Sequence, residues 1–324
     1  MKKPAIRKVF ALASLFLLAS CSAEGKIKTV YCFDSYIELI NYDDYDFSNQ
    51  DVKFLQDLST LMDNYYGYYY NAGTNLYAIN STNEPLQVDH DLALALSEAL
   101  EMERITNGYY DPMVGTLSKM WKAGLQYGTT LFEEEIEEAV AAIQDKSTNY
   151  YTVDLDTDTV QRFGELEIDL GGIAKGYALR KVKEQFKEMG LTHYLVNAGK
   201  SSLIMSEKPD GSPFKIGLSD ISSSAYINAK NIAVGVSSNS QQGYTIDGQR
   251  YGHIVNPFTG SVIAKHDFAM ALGEDPLVCD ALSTAMMMME KDEALDLLAN
   301  LGYFSLIYDE EGIYGTYSSE VHYH

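Results

Sequence analysis

Residues 167–178 read EIDLGGIAKGYA. Ile168-Asp169-Leu170 has the texture of a buried strand end, Gly171-Gly172 interrupts it, and Lys175-Gly176 leads into a helix expected over Tyr177–Met189, with Gly190 as its stop. Glycines at a strand-to-helix turn let the backbone approach a phosphate closely, and the amides of a helix start favour an anion. Such a turn gains weight only from a second segment, and Cys279–Thr284 (CDALST) supplies one. There Asp280 and Thr284 lie four residues apart at the head of an expected helix, so their side chains share a face. A carboxylate and a hydroxyl together suit a hard cation such as Mg²⁺, which takes oxygen ligands completed by substrate phosphates. The pair also admits a plainer account, an acid near a helix start and a packed threonine.

Outward from this turn, the N-terminal side is mainly helical. One strand is expected over Val30–Ile40, then helices over Phe54–Tyr70, Asp89–Thr106 and Glu133–Ile143, the last opening on an acidic, solvated face. From Tyr150 short alternating runs take over: Tyr151–Leu155, Thr159–Phe163, Glu167–Leu170, Tyr194–Ala198, Ile216–Leu218, Ile232–Val236 and Tyr244–Ile246. One long helix over Cys279–Leu301 and a hairpin of Phe304–Tyr308 with Ile313–Tyr317 close the chain. Helices with mostly antiparallel strands give an α+β fold, in one domain or two closely associated lobes.

The first twenty residues read as a processing segment. Lys2, Lys3, Arg7 and Lys8 precede an apolar run, Val9–Ala19, and Leu18-Ala19-Ser20-Cys21 matches a lipobox. Cleavage before Cys21 would leave a lipid-bearing Cys21 and a mature domain of residues 21–324, anchored to the membrane and facing outside the cytoplasm; an ordinary secretory signal is the alternative. Loss of those four basic residues takes the formal net charge from −22 to −26. So acidic a chain is unsuited to nucleic acid or to anionic lipid. It must also build locally positive ground to hold a dinucleotide. Cys32 and Cys279 are expected to be free or buried thiols.

His253 lies in YGHIVNPFTG (Tyr251–Gly260), whose Pro-Phe-Thr-Gly end signals a turn. A histidine displayed at a strand end serves either as a proton acceptor or as a hydrogen-bonded structural imidazole.

Taken together, DLGGIAKGYA, Val196-Asn197-Ala198-Gly199, YGHIVNPFTG and CDALST, in this order and spacing, resemble the FAD:protein FMN transferase (ApbE) family. The N-terminal half is similar as well, through Phe33-Asp34-Ser35, Tyr70 ahead of Asn80, and Gly108–Gly115 followed by Leu117 and Trp121. The resemblance implies an ApbE-like fold and Mg²⁺-dependent transfer of FMN from FAD to a threonine or serine hydroxyl of an acceptor protein, releasing AMP. It further implies that the acceptor is a subunit of a membrane redox complex. Asp169 and Lys175 are then expected to contact FAD, with Phe33, Tyr70, Tyr109, Tyr110 and Asp111 lining the nucleotide pocket and Val255 touching the cofactor. The Gly172 carbonyl, Asp280 and Thr284 are expected to hold Mg²⁺, with Ser283 nearby and His253 beside the pyrophosphate as base or positioning group. Lys200, Asn256 and Val236–Ser240 depart from the family pattern, and Phe33 stands where a methionine is usual. Two rival readings of the same site are an FAD pyrophosphatase and a lipoprotein that only binds flavin.

Overall fold

A computed structural model describes residues 25–63, 75–240 and 243–323. Cys21 and Tyr70 therefore lie outside the described residues, while the helix expected over Phe54–Tyr70 begins earlier, at Asn49, and stops at Met62, where Asp63 turns to extended backbone (φ −88°, ψ 121°). The N-terminal part comprises β1 (Lys26–Cys32), β2 (Ser35–Asn41), α1 (Asn49–Met62), α2 (Leu76–Asn80), β3 (Leu86–Gln87) and α3 (His90–Ile105). It continues through α4 (Gly115–Gln126), α5 (Glu133–Gln144), β4 (Tyr150–Asp154), β5 (Thr159–Phe163) and α6 (Ala174–Glu188). Next come β6 (Tyr194–Ala198), β7 (Ser202–Met205), β8 (Phe214–Gly217), β9 (Tyr226–Ala229), β10 (Ile232–Ser238), β11 (Tyr244–Ile246) and β12 (Gln249–Tyr251). The chain ends with β13 (Phe268–Gly273), α7 (Pro276–Met286), α8 (Lys291–Leu301), β14 (Phe304–Asp309) and β15 (Gly312–Tyr314).

An eight-stranded sheet in the order β1-β2-β6-β7-β10-β13-β14-β15 organises the molecule, and its neighbouring strands all pair antiparallel. Alternation sends successive side chains to opposite faces. Val196, Ile204, Ala233, Ala269 and Ala271 face a core shared with the helices. Leu195, Leu203, Val234, Met270 and Leu272 face a second core closed by Phe214, Ile216 and Ile227 of β8 and β9. With both faces covered, β10 and β13 are almost wholly buried. This is the expected α+β architecture.

Three further local expectations are corrected. The strand expected over Val30–Ile40 is a hairpin, because Phe33 and Asp34 both adopt left-handed backbone (φ 51° and 53°) and turn β1 into β2. Two positive-φ residues are the geometry of a tight hairpin turn, which usually takes Asn-Gly; nothing in Phe-Asp announces it. Glu167–Leu170 is extended but joins no ladder. Its backbone is held instead by the Asn80 side chain, which accepts from Ile168 N and donates to Ile168 O (both 2.8 Å), and by an Asp169 N–H to Pro112 O bond (2.8 Å). The single helix expected over Cys279–Leu301 is two, α7 and α8. At the break the Met287 carbonyl accepts from Lys265 N (2.9 Å) and the Met289 carbonyl from His266 Nε2 (3.1 Å), so the carbonyls that would continue the helix are taken by distant donors.

Two glycines fix where α7 lies. A Cβ on Gly235 of β10 would meet the Cys279 carbonyl oxygen and stand 2.7 Å from Asp280 N. A Cβ on Gly176 of α6 would lie 2.5 Å from Pro276 O and 2.9 Å from the Asp280 Cβ. Helix α7 is thus wedged against the sheet on one side and α6 on the other, at backbone contact. Gly235→Ala is expected to destabilise the protein by about 1–3 kcal/mol, since backbone cannot yield as a side chain can. Chemical denaturation measures it, and unchanged stability would contradict the wedge.

Cys32 and Cys279 are free and buried, and burial pushes the Cys32 thiol up to about 12 and the Cys279 thiol well above its ordinary value. The thiolate is the reactive form. At pH 8 the native protein should leave both unmodified by iodoacetamide, with alkylation at each on unfolding; peptide mapping reads the outcome.

Candidate functional site

The 169–176 turn and α7 meet through Asp280. Helix α7 is capped by Asp275, whose side chain accepts from Leu277 N, and Pro276 occupies its first turn. Asp280 therefore sits in the second turn rather than at the head of the helix, and capping its own helix does not explain it. Asp280 is 3% exposed. Oδ2 accepts from the Gly176 amide at 3.0 Å, closing the first turn of α6 from outside, and Oδ1 accepts from the Ser202 hydroxyl of β7 at 2.8 Å. Burial pushes the Asp280 carboxyl above the usual range, offset in part by the Lys175 charge, the Ser202 hydroxyl and the Gly176 amide. Each carboxylate oxygen keeps a second lone pair.

Thr284 lies one turn on, and its hydroxyl donates to the Asp280 carbonyl (3.1 Å), so the oxygen's lone pairs remain to accept. They face Gly172: a Cβ there would lie 2.8 Å from Thr284 Oγ1, and Gly172 itself has φ +89°. Only glycine satisfies both demands, the left-handed backbone and the close approach. Among the described residues no cluster of three His, Cys, Asp or Glu side chains could hold a metal. The Asp280 carboxylate, the Thr284 hydroxyl and the Gly172 peptide carbonyl are all oxygen donors, the ligand chemistry that a hard divalent cation takes.

Asp169 shapes the turn. Its Oδ1 accepts from Gly171 N at 2.7 Å; burial raises its carboxyl, while the Gly171 amide, the Ser118 hydroxyl and Lys122 draw it down. The expectation that the turn amides cradle an anion is narrowed here. Gly171 N is bound to Asp169, Ile173 N and Ala174 N to the Leu170 carbonyl (3.2 and 3.1 Å), and Gly176 N to Asp280. Four amides of the turn are committed within the protein. Beyond the Gly172 and Lys175 amides, positive potential comes from the Lys175 side chain, whose Cδ passes 4.0 Å from where a Gly199 Cβ would stand, and from any bound cation.

The other expected residues stand in different environments, and only some are tied to this cluster. Tyr110 is buried, its hydroxyl has no hydrogen-bond partner among the described residues, and burial holds its phenol well above the ordinary value, with Asp169, Asp280 and Asp111 adding to the effect. Asp111 is already employed: Oδ1 accepts from Met113 N (2.8 Å) and Oδ2 pairs with Lys146 Nζ (2.6 Å). Tyr109 donates to Glu293 (3.0 Å) and meets the Phe258 ring edge-on at 4.9 Å. Phe33, on the β1–β2 turn, donates its amide to Ser59 Oγ (2.7 Å). Ser35 just beyond it abuts Gly199, which joins the Phe33 turn to the Lys175 side of the site.

His253 is exposed and Val255 buried. His253 lines a shallow pocket with Ser238, Asn239, Ile254, Met287 and Met288, just past the end of α7. Asn256 acts on its own loop. Its Oδ1 accepts from Phe258 N (2.9 Å) and Thr259 N (3.1 Å), forming the Pro-Phe-Thr-Gly turn, and Trp121 Nε1 secures that turn through Gly260 O (2.8 Å). Lys200 follows Gly199 in a second left-handed position (φ 67° after 63°), so the β6–β7 turn keeps its shape at some backbone strain.

Ser202 and Gly235 are the participants that sequence reasoning missed. Their signal is faint: a serine opening an apolar run (SLIM) and a lone glycine inside one (IAVGV).

Comparison with known proteins bears on the family and the fold. A model of the ApbE family matches residues 33–306. The chain is 24% identical over 304 residues to an FAD:protein FMN transferase of Vibrio cholerae, covering 88% of each. It is also 24% identical over 244 residues to one of Haemophilus influenzae, covering 71% of this chain and 70% of that protein. The crystal structure of the ApbE protein from Thermotoga maritima superimposes with a TM-score of 0.75 at 25% identity, over 90% of this chain and 96% of that one. The flavin transferase ApbE from Vibrio cholerae does so at 0.70 and 20% identity, over 92% and 98%, a likeness of fold. With a family match across most of its length and the same architecture, this chain belongs to the ApbE family.

Proposed function

We propose that this protein transfers FMN from FAD to the hydroxyl of a threonine or serine on an acceptor protein, with Mg²⁺, releasing AMP. The acceptor oxygen forms a bond to the FMN-side phosphorus, the bond from that phosphorus to the oxygen leaving with AMP breaks, and the hydroxyl proton departs. The observation that carries the reading is the convergence of Gly172, Asp280 and Thr284 from two remote segments, with Asp280 bonded to the turn at 3.0 Å.

Phosphoryl transfer asks a protein mainly for placement and for neutralisation of charge. The Asp280 carboxylate, the Thr284 hydroxyl and the Gly172 carbonyl would hold Mg²⁺. When bound, the ion supplies Lewis-acid stabilisation of phosphate oxygens. Lys175 adds a second positive charge from the helix start. Asp169 fixes the turn by binding Gly171 N, so that Gly172 presents its carbonyl in a set direction. Tyr110, Phe33 and Tyr109 would line the nucleotide site, with Tyr70 and Val255 as further contacts. His253, exposed in a pocket shared with Met287 and Met288, would accept the acceptor's proton or orient its hydroxyl. A lipid on Cys21 would anchor the protein outside the cytoplasm, near acceptors that are subunits of membrane redox complexes. Among the described residues no helix is long and apolar enough to cross a membrane.

Incubating the protein with FAD, Mg²⁺ and a threonine-bearing acceptor should add the mass of one FMN to the acceptor and release AMP in step. Asp280→Ala should lower transfer by on the order of 10²–10⁴-fold, the loss of several kcal/mol of charge stabilisation. Wild-type rates in that variant would remove the metal assignment. AMP released equally fast without acceptor would identify a pyrophosphatase instead, and FAD bound without AMP release a flavin-binding protein.

A further inference from the structure

Asp280 has two anchors, and they differ in kind. The Gly176 amide belongs to the α6 backbone, so the bond to Oδ2 is part of how that helix begins. Ser202 belongs to β7, is fully buried, and has no sequence relation to either the turn or α7. Its hydroxyl reaches Oδ1 at 2.8 Å because Ser202 pairs in register with Gly235, the position where the sheet lacks a side chain and α7 comes down. Neither of the other buried serines nearby bonds the Asp280 carboxylate. Ser283 Oγ donates to the Asp280 carbonyl (3.0 Å), and Ser237 Oγ bonds Ser283 Oγ (3.1 Å).

A carboxylate has one soft torsion, the rotation of its plane about the Cβ–Cγ bond. The Gly176 bond constrains one oxygen. The Ser202 bond constrains the other, and together they fix the plane, leaving the remaining lone pairs in a set direction. Ligands to a metal depend on such outer partners for orientation, and losing one typically costs about 10–100-fold in metal affinity.

We infer that Ser202 is a positioning residue of the cation site: its hydroxyl sets the plane of the Asp280 carboxylate, so that the lone pairs not used by Ser202 and Gly176 meet the cation beside Thr284 and Gly172. This rests on the metal reading of the same site and adds to it a residue that touches neither the cation nor the flavin. Ser237, within the same buried network but bonded only to Ser283, serves as the control.

Mn²⁺ is the probe, a paramagnetic stand-in for Mg²⁺ at an oxygen site. Its binding to the folded protein is titrated by electron paramagnetic resonance, well below the melting temperature of every variant. Ser202→Ala should weaken binding about 10–100-fold. The Mg²⁺ concentration giving half-maximal FMN transfer should rise by a similar factor, with kcat at saturating metal little changed. Ser237→Ala should bind Mn²⁺ within about threefold of wild type. Ser202→Thr retains the hydroxyl and should restore affinity; Ser202→Cys, a weaker donor, should fall between serine and alanine. Wild-type Mn²⁺ affinity in Ser202→Ala, or equal losses in Ser202→Ala and Ser237→Ala, would overturn the inference while the metal reading stands. Mn²⁺ binding that survives Asp280→Asn undiminished would remove the metal reading and this inference with it.

Discussion

The contact on which the rest depends is the seating of α7 between β10 and α6, at Gly235 on one side and Gly176 on the other. Each glycine removes the one atom that would hold two backbones apart, and the gain is close packing across three elements. The consequence is chemical as well as structural. With the helix pressed this far in, the Asp280 carboxylate is buried, and burial without partners would be costly. The Gly176 amide and the Ser202 hydroxyl meet that cost, each from an element the glycines have brought within reach. Packing and site are one arrangement.

The electrostatics follow from it. The chain is strongly acidic, and two of its carboxyls, Asp169 and Asp280, are held by burial above their ordinary values. A region that desolvates carboxylates in a negatively charged molecule favours a cation over a free anion. The internal commitment of the turn amides points the same way, because the helix start has already bound its own carboxylates, Asp169 at Gly171 and Asp280 at Gly176. An anionic ligand would thus be drawn by Lys175 and by a cation held on oxygen ligands, more than by a bare nest of N–H groups.

Farther out, several turns are held by side chains rather than by ladders. Asn256 builds the turn after His253, Trp121 secures it through Gly260, and Asn80 stitches the extended run that delivers Asp169. Such bonds replace strand pairing where the backbone must leave the sheet to reach the site. The break between α7 and α8 belongs to the same pattern, since Lys265 and His266 take the carbonyls that would have extended the helix and leave Met287 and Met288 beside His253.

Local sequence determined a good deal. Alternation and helical spacing marked α3, α5, β4 and β5 closely, and the mixture of elements gave the α+β class, because periodicity is set by neighbours a few residues away. The glycine turn at 171–176 and the Asp280/Thr284 pair were also legible, as residue types whose chemistry is unusual at that spacing. Other features were decided only in three dimensions. The Phe33–Asp34 hairpin, the unpaired run before Asp169 and the split of the last helix each depend on bonds to residues far along the chain, or on a backbone state that the side chains do not announce. The same is true of Ser202, an ordinary serine in an apolar strand until the pairing of β7 with β10 sets it against Asp280. Sequence carries the donors and acceptors; which of them meet is a matter of packing, and packing is long-range.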